Sequence, residues 1–156
     1  MDQTKISINV VHEHSDPLLI SEEAIQKYSN LIISKELKEG SYTLSIINCT
    51  DNRICLLSNQ YRGLDQPTDV LTFAMHDESP EGLIELGDIF LSIDTIKRQA
   101  SDWQNAPQQE YLFMLIHGLL HICGWEHEGP YNEEEEMFKR QRYYYELLVD
   151  EIKPIE

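Results

Sequence analysis

The stretch PQQEYLFMLIHGLLHICG, residues 107–124, predicts one long helix that decides how the rest of the chain can pack. Pro107 suits the first helical position, where its missing N–H removes no hydrogen bond, and Gly124 suits the position just past the end. Between them apolar side chains fall on almost every face, which is typical of a helix buried on all sides. The remaining segments must therefore enclose this helix.

The segments on its N-terminal side predict a sheet. KISINVVHEH, residues 5–14, alternates apolar and polar residues, which places Ile6, Ile8 and Val10 on one face of a first strand. Further strands are predicted at residues 42–46, 70–74 and 84–93. We expect one α+β domain over residues 1–156, a layered fold in which a roughly four-stranded sheet packs around the buried helix.

Four more helices are predicted from polar residues that can accept hydrogen bonds from a first helical turn. The N-caps are Ser21, Thr50, Asp94 and, in a capping pair with Glu135, Asn132. The first three helices should end near residues 40, 63 and 103. Residues 133–136 would fill the first turn of the last helix, where negative charge meets the positive end of the helix dipole.

Three histidines, His117, His121 and His127, form the pattern H-x-x-x-H-x-x-G-x-x-H at the end of the buried helix. A spacing of four puts the first two on one helix face, one turn apart, and Gly124 lets the chain fold back to deliver the third. Three neutral nitrogen ligands suit zinc best among common metals, and a fourth position left to water is typical of a catalytic site. The alternative interpretation is three histidines satisfied by backbone and solvent.

Two other histidines, His12 and His14, share the second face of the first strand. They form either a second metal pair or an ordinary solvated surface near a strand end.

Gly118, directly after the first metal-ligand candidate, separates two kinds of hydrolase. Metzincin proteases use the same histidine spacing but carry a glutamate at this position, which acts as general base. A glycine inside a helix costs about 1 kcal/mol relative to alanine, so it indicates close approach of another element. Metal-assisted hydrolysis remains the expected reaction, with a zinc peptidase as an alternative that lacks its usual base.

Four motifs in order carry a family resemblance: NQYRGLDQPTDVLTF at 59–73, LGDIFLS at 86–92, HGLLHICGWEH at 117–127 and EEEEMFKRQ at 133–141. Together they resemble the YbeY family of zinc-dependent endoribonucleases. The chain departs from the usual family pattern at Glu126, where aspartate is typical, and at Phe113, where a histidine often stands.

The resemblance implies a zincin-like metallohydrolase fold and a single-strand-specific endoribonuclease with one zinc ion per chain. It also implies a role in small-subunit ribosomal RNA maturation and ribosome quality control, with ribosomal RNA and the small ribosomal subunit as partners. An alternative from another class is a ribosome-assembly factor that binds the particle without cutting RNA.

Residues 59–69 form the second segment in which the sequence predicts functional side chains, and Arg62 lies in it. It matches the family's YR motif, and the resemblance implies that this arginine contacts phosphate and is needed for activity. A guanidinium can bind phosphate through two parallel hydrogen bonds. Alternatively, Arg62 pairs with Asp65 or Asp69 to hold its loop. The general base is unassigned between Glu126 and Asp69, and Glu126 could instead orient a ligand imidazole.

The formal net charge of −16 predicts weak binding to naked RNA and argues against DNA as a partner. An acidic surface suits contact with basic ribosomal proteins.

Three cysteines without paired spacing fit a reducing compartment, so we expect a cytoplasmic protein. Cys123 should face away from the metal. The longest apolar run, LFMLI, is too short to span a bilayer, so no membrane association is expected.

Overall fold

The four strands form one mixed sheet in the order β1-β2-β4-β3, in which β1, β2 and β4 are parallel and β3 is antiparallel to β4. The structure is a computed structural model that describes residues 4–63, 68–127 and 132–152. The strands are β1 (Lys5–His12), β2 (Ser41–Cys49), β3 (Val70–Glu78) and β4 (Leu83–Ser92). The helices are α1 (Glu22–Glu36), α2 (Asp51–Arg62), α3 (Ile93–Asp102), α4 (Pro107–Ile122) and α5 (Glu136–Leu148), followed by a 3-10 turn at Val149–Glu151. The predicted α+β layers with a four-stranded sheet are confirmed.

The predicted buried helix is α4, which lies against the inner face of the sheet. A Cβ atom on Gly118 would come within 2.7 Å of the Ile89 Cγ2 atom and 3.2 Å of the Val70 Cγ2 atom. Only glycine lets the helix backbone approach β3 and β4 this closely, because added methyl groups in a packed core force atoms apart. The expectation of a close approach at Gly118 is confirmed, and no side chain longer than hydrogen fits there without movement.

A bulge in the sheet shapes the strands beside α4. Gly87 has a φ of 133°, and a Cβ atom there would lie 1.9 Å from the Phe73 carbonyl oxygen. Opposite this bulge, His76 has a φ of 53° and its Nε2 atom lies 2.7 Å from the Ile122 carbonyl oxygen. A strand residue thereby satisfies a carbonyl at the C-terminus of α4, where the helix leaves carbonyls without partners.

The opposite face of the sheet is covered in part by α2. Ile54 packs there with Phe90 and Leu71 in a second, smaller apolar cluster. The Thr50 side chain accepts a hydrogen bond from the Arg53 N–H, as predicted for its N-cap, and α2 is followed by Gly63 with a φ of 70°. Near the end of this helix the Tyr61 ring contacts the Phe73 ring of β3, with centroids 5.0 Å apart.

Two predicted helix starts are wrong. Ser92, rather than Asp94, caps α3, because β4 runs into the helix without a loop and the serine hydroxyl accepts from the Thr95 N–H at 3.4 Å. The last helix begins at Glu136, and Asn132 instead closes a turn by accepting from the Glu134 N–H at 3.0 Å. Both errors arose because several neighbouring polar residues have suitable spacing for a cap.

Neither interpretation of the first-strand histidines describes His14. Its side chain is only 7% exposed, and its Nε2 atom lies 2.8 Å from the Asp94 carboxylate. The Nδ1 atom accepts a hydrogen bond from the Asp16 N–H. His14 therefore joins the loop after β1 to the start of α3, and among the described residues the only three-ligand metal cluster lies elsewhere.

Within the described ranges, none of the helices is long and apolar enough to cross a membrane. Cys49, Cys55 and Cys123 are all free thiols. Cys123 packs against the core as expected, and burial raises its pKa to about 12.

Candidate metal centre

The structure brings the three predicted ligands together at the C-terminal end of α4. His117, His121 and His127 each offer a ring nitrogen, and these atoms all lie within 4.8 Å of one another. The ring centroids are 4.6 to 5.2 Å apart. Gly124, with a φ of 108°, follows α4 and lets the chain return toward the two helical histidines. Three half-buried imidazoles converging on one point fit a divalent metal ion with nitrogen preference.

Hydrogen bonds fix which ring nitrogen of His117 points into the cluster. Its Nδ1 atom lies 3.0 Å from the Gln141 side-chain oxygen, and the Gln141 amide nitrogen donates to the Phe113 carbonyl oxygen at 3.0 Å. The second bond sets the orientation of the amide, so Gln141 presents an acceptor to the ring. His117 must then donate from Nδ1, which leaves the Nε2 lone pair for a metal.

His121 is oriented in the same way by the backbone. Its Nδ1 atom lies 2.9 Å from the carbonyl oxygen of Trp125, and this oxygen can only accept. The Nε2 atom of His121 is therefore also unprotonated in the neutral ring. Two of the three rings are held in the tautomer that metal ligation requires before any ion arrives.

Burial keeps these rings neutral. It lowers the pKa of His121 to about 4, helped by the neighbouring histidines, and it lowers the pKa of His117 as well. A protonated imidazole has no lone pair for a metal, so the lowered pKa values favour ligation at neutral pH. Both the geometry and the protonation state of the donor set fit a bound metal.

The turn that carries Trp125 is held by a buried carboxylate. Glu36 has a side chain only 5% exposed and accepts from the Trp125 indole N–H at 2.8 Å. It also accepts from Arg140 at 3.0 Å and from the Tyr144 hydroxyl, while the Arg140 guanidinium stacks 4.9 Å from the Trp125 ring. Residues from α1 and α5 thus fix the carbonyl that orients His121.

The other predicted site residues, Asp69, Glu126 and Arg62, differ in where they lie relative to the histidine cluster. Asp69 lies immediately before β3 and lines the same cavity as His117, and its charge acts to raise the pKa of that imidazole. Its Oδ1 atom accepts from the Val70 N–H at 2.8 Å. Glu126 is exposed beside His127. Arg62 is the last residue of α2, but its side chain and the whole of Asp65 lie outside the described residues.

A cavity of about 710 Å³ opens from the histidine cluster along α4. His117 and His127 line it, and so does Trp103. The cavity gives a substrate access to the candidate metal position.

Sequence reasoning missed Gln141 and the Trp125 carbonyl as orienting groups. One signal for Gln141 was available: it is fully buried on the stripe of α5 that otherwise carries Met137, Phe138, Tyr144 and Leu148. A glutamine on an apolar stripe is a polar group that needs a specific partner. No sequence pattern indicates a backbone carbonyl as a partner.

Comparisons with known proteins place the chain among proteins of one family. A family model described as Endoribonuclease YbeY matches residues 9–149. Proteins named endoribonuclease YbeY from Petrotoga mobilis and Brevibacillus brevis are each 34% identical to the chain, with 93% and 94% of this chain and 98% and 97% of theirs aligned. The solution structure of TM1509 from Thermotoga maritima is similar, with a TM-score of 0.65 and 30% identity, covering 92% of this chain and 90% of that one.

Proposed function

The chain belongs to the endoribonuclease YbeY family, and from this premise we propose that it cleaves RNA with a zinc ion held by His117, His121 and His127. The observation that carries the proposal is a pair of hydrogen bonds, which His117 donates to the Gln141 side-chain oxygen and His121 donates to the Trp125 carbonyl oxygen. They leave the Nε2 lone pairs of both rings free for a metal. Three neutral imidazoles favour zinc over magnesium or calcium, which prefer oxygen ligands.

The protein residues divide the work of phosphodiester cleavage. His117, His121 and His127 would hold a zinc ion, which would supply a Lewis acid for the reaction. Arg62 binds the phosphate through its planar guanidinium and offsets the charge that develops on it. Asp69 is favoured over Glu126 as the proton acceptor because it lines the cavity next to His117, whereas Glu126 is exposed.

We propose the small ribosomal subunit as the natural setting, with its unpaired RNA as substrate and its basic proteins as contacts for the acidic surface. The chain would act in the cytoplasm, where its three cysteines remain reduced. A zinc peptidase is disfavoured, because the position of the usual glutamate base is Gly118, packed against Ile89.

Metal analysis of His121→Ala tests the site. We expect the variant to lose zinc and RNA cleavage together, because two imidazoles rarely retain the ion. Full zinc occupancy in this variant would reject the three-histidine site. The half-buried His12, on the first strand and outside the three-histidine cluster, offers a matched control: His12→Ala should keep its zinc.

Product termini separate the possible reactions. A 2′,3′-cyclic phosphate on the RNA fragment means that the ribose hydroxyl attacked, and a 3′-hydroxyl with a 5′-phosphate means that water attacked. Intact RNA in the presence of zinc, together with stable binding to ribosomal particles, would leave the assembly-factor alternative.

A further inference from the structure

The cavity beside the histidine cluster has an acidic lining, which phosphate binding does not explain. The charged side chains among its described lining residues, apart from the histidines, are Asp69 and Glu110, and both are acidic. A phosphate group would be repelled there, whereas a neutral nucleobase would not. The part of an RNA substrate that fits this cavity is therefore a base.

Helix geometry sets the distance between Glu110 and His117, and this distance matches the size of one nucleotide. Glu110 lies seven positions before His117, so both lie on the same face of α4, about 10 Å apart along the axis. Met114 lies between them on that face and also lines the cavity. This span is close to the distance from a phosphate group to the far edge of its own base.

Aromatic side chains supply the walls that a base requires. Trp103 has 74% of its surface exposed, the highest value among the large hydrophobic residues described, yet its backbone is fixed at the end of α3 by a hydrogen bond to the Gln99 carbonyl. Phe113 and Tyr145 meet edge to face with centroids 5.4 Å apart. Single-stranded RNA is bound mainly by stacking its bases on such rings.

The carboxylate of Glu110 determines which base fits best. An ionised carboxylate only accepts hydrogen bonds, so it pairs with a base edge that presents N–H groups. Guanine presents two parallel donors, N1–H and the N2 amino group, whereas uracil presents one N–H between two carbonyl oxygens that a carboxylate repels. The edge must be free of its Watson–Crick partner to reach Glu110.

We propose that this cavity is a subsite for one unpaired guanine next to the cleaved bond, with Trp103 as the stacking wall and Glu110 as the acceptor for the base edge. The proposal rests on the proposed function, since it assigns the substrate of that same site. It makes Glu110 a specificity-determining residue.

The test uses short single-stranded RNAs that differ only at the nucleotides flanking one cleavage position, carrying guanine, inosine or uracil. Inosine lacks the N2 amino group and removes one donor while keeping the ring. For the zinc-loaded protein we expect kcat/KM to be about tenfold or more higher for guanine than for uracil, with inosine between them. Equal values for all three would overturn the proposal.

Substitutions of Glu110 and Trp103 test whether these two residues cause the preference for guanine. Glu110→Gln should bring the guanine to uracil ratio close to one, and Trp103→Ala should raise KM for every base by roughly tenfold with less effect on kcat. The exposed Glu23→Gln and Tyr143→Ala are matched controls outside the cavity and should keep the parent ratio and KM. An unchanged ratio in Glu110→Gln would reject its role.

Binding to the metal-free protein distinguishes failure of this proposal from failure of the proposed function. Fluorescence anisotropy with 2′-O-methyl oligonucleotides measures base preference without cleavage. Guanine-selective binding that Glu110→Gln removes supports the subsite even if no RNA is cut. Base-independent binding with normal cleavage overturns the subsite alone.

The same oligonucleotides test Trp103. If Trp103→Ala binds them as well as the parent does and is impaired only on intact ribosomal particles, Trp103 contacts a protein and its stacking role is rejected.

Discussion

At the scale of single residues, Gln141 connects the fold to the candidate metal site through both ends of one amide. Its oxygen accepts from His117 and its nitrogen donates to the Phe113 carbonyl. Because Gln141 is fully buried, removing the amide leaves both partners without a hydrogen bond and without water. One side chain thus contributes to stability and to the orientation of a ligand.

Two substitutions of Gln141 should separate these contributions. Gln141→Leu should lower zinc affinity by about 10- to 100-fold, since His117 loses the group that fixes its tautomer. Gln141→Glu keeps an acceptor for His117 and should retain more of the affinity, although it loses the donor to Phe113. Competition with a zinc chelator measures both values, and equal affinities for the two variants would contradict the orienting role.

Arg62 should be sensitive to the shape of its side chain as well as to its charge. If the guanidinium binds phosphate through two hydrogen bonds, Arg62→Lys should fail nearly as badly as Arg62→Ala. Losing such a donor typically costs a factor of 10² to 10³ in rate, roughly 2.7 to 4 kcal/mol, with zinc content and Tm near those of the parent. Parent cleavage rates in both variants under saturating zinc would refute this role.

At the scale of elements, α4 carries two of the three candidate metal ligands and also an acid whose ionised form is costly to bury. Burial raises the pKa of Glu110 above its ordinary value of 4.5, and the nearby Asp69 raises it further. The folded protein therefore binds a proton more tightly than the unfolded chain does. The stabilising effect of that proton is present below about pH 4.5 and is lost as pH rises through the raised pKa.

Glu110→Gln should consequently raise the urea midpoint of unfolding at pH 7 and have a much smaller effect at pH 4. Glutamine can still accept the hydrogen bond from Asn105, so the variant removes mainly the charge. Glu23→Gln, on the exposed side of α1, should change neither midpoint. A lower midpoint for Glu110→Gln at pH 7 would mean that its contacts outweigh the cost of its charge. Retaining a destabilising acid is typical of functional sites.

The elements themselves were largely predictable because their signals are local. Pro107 and Gly124 enclose an apolar run that only a buried helix satisfies. As predicted, α4 begins at Pro107, and Gly124 follows its end. The start of α5 was missed because four consecutive glutamates give no local signal for the first helical turn. Contacts such as Glu36 with Trp125 join residues 89 positions apart, and no sequence spacing indicates them.

At the scale of the whole molecule, the structure accounts for how an acidic protein acts on an acidic substrate. Of its 12 lysines and arginines, seven form ion pairs with carboxylates in the described parts of the chain. These cations are already partly neutralised by their neighbours, and the formal net charge is −16. Recognition of RNA must therefore come from the site itself, through stacking and a few local contacts, rather than from long-range attraction.

This charge balance predicts an unusual salt dependence for cleavage of naked RNA. Proteins that bind nucleic acids through many phosphate contacts lose affinity steeply as salt rises, because released counterions no longer favour binding. Here added monovalent salt mainly screens the repulsion between RNA and the acidic surface, over a Debye length of about 10 Å at 0.1 M. We expect KM to stay level or fall between low and moderate salt, measured at constant zinc with the same short RNA. A steep rise of KM with salt would mean that a basic surface outside the described contacts dominates binding. Partners with basic surfaces should show the opposite trend from naked RNA, since screening weakens their attraction to this protein.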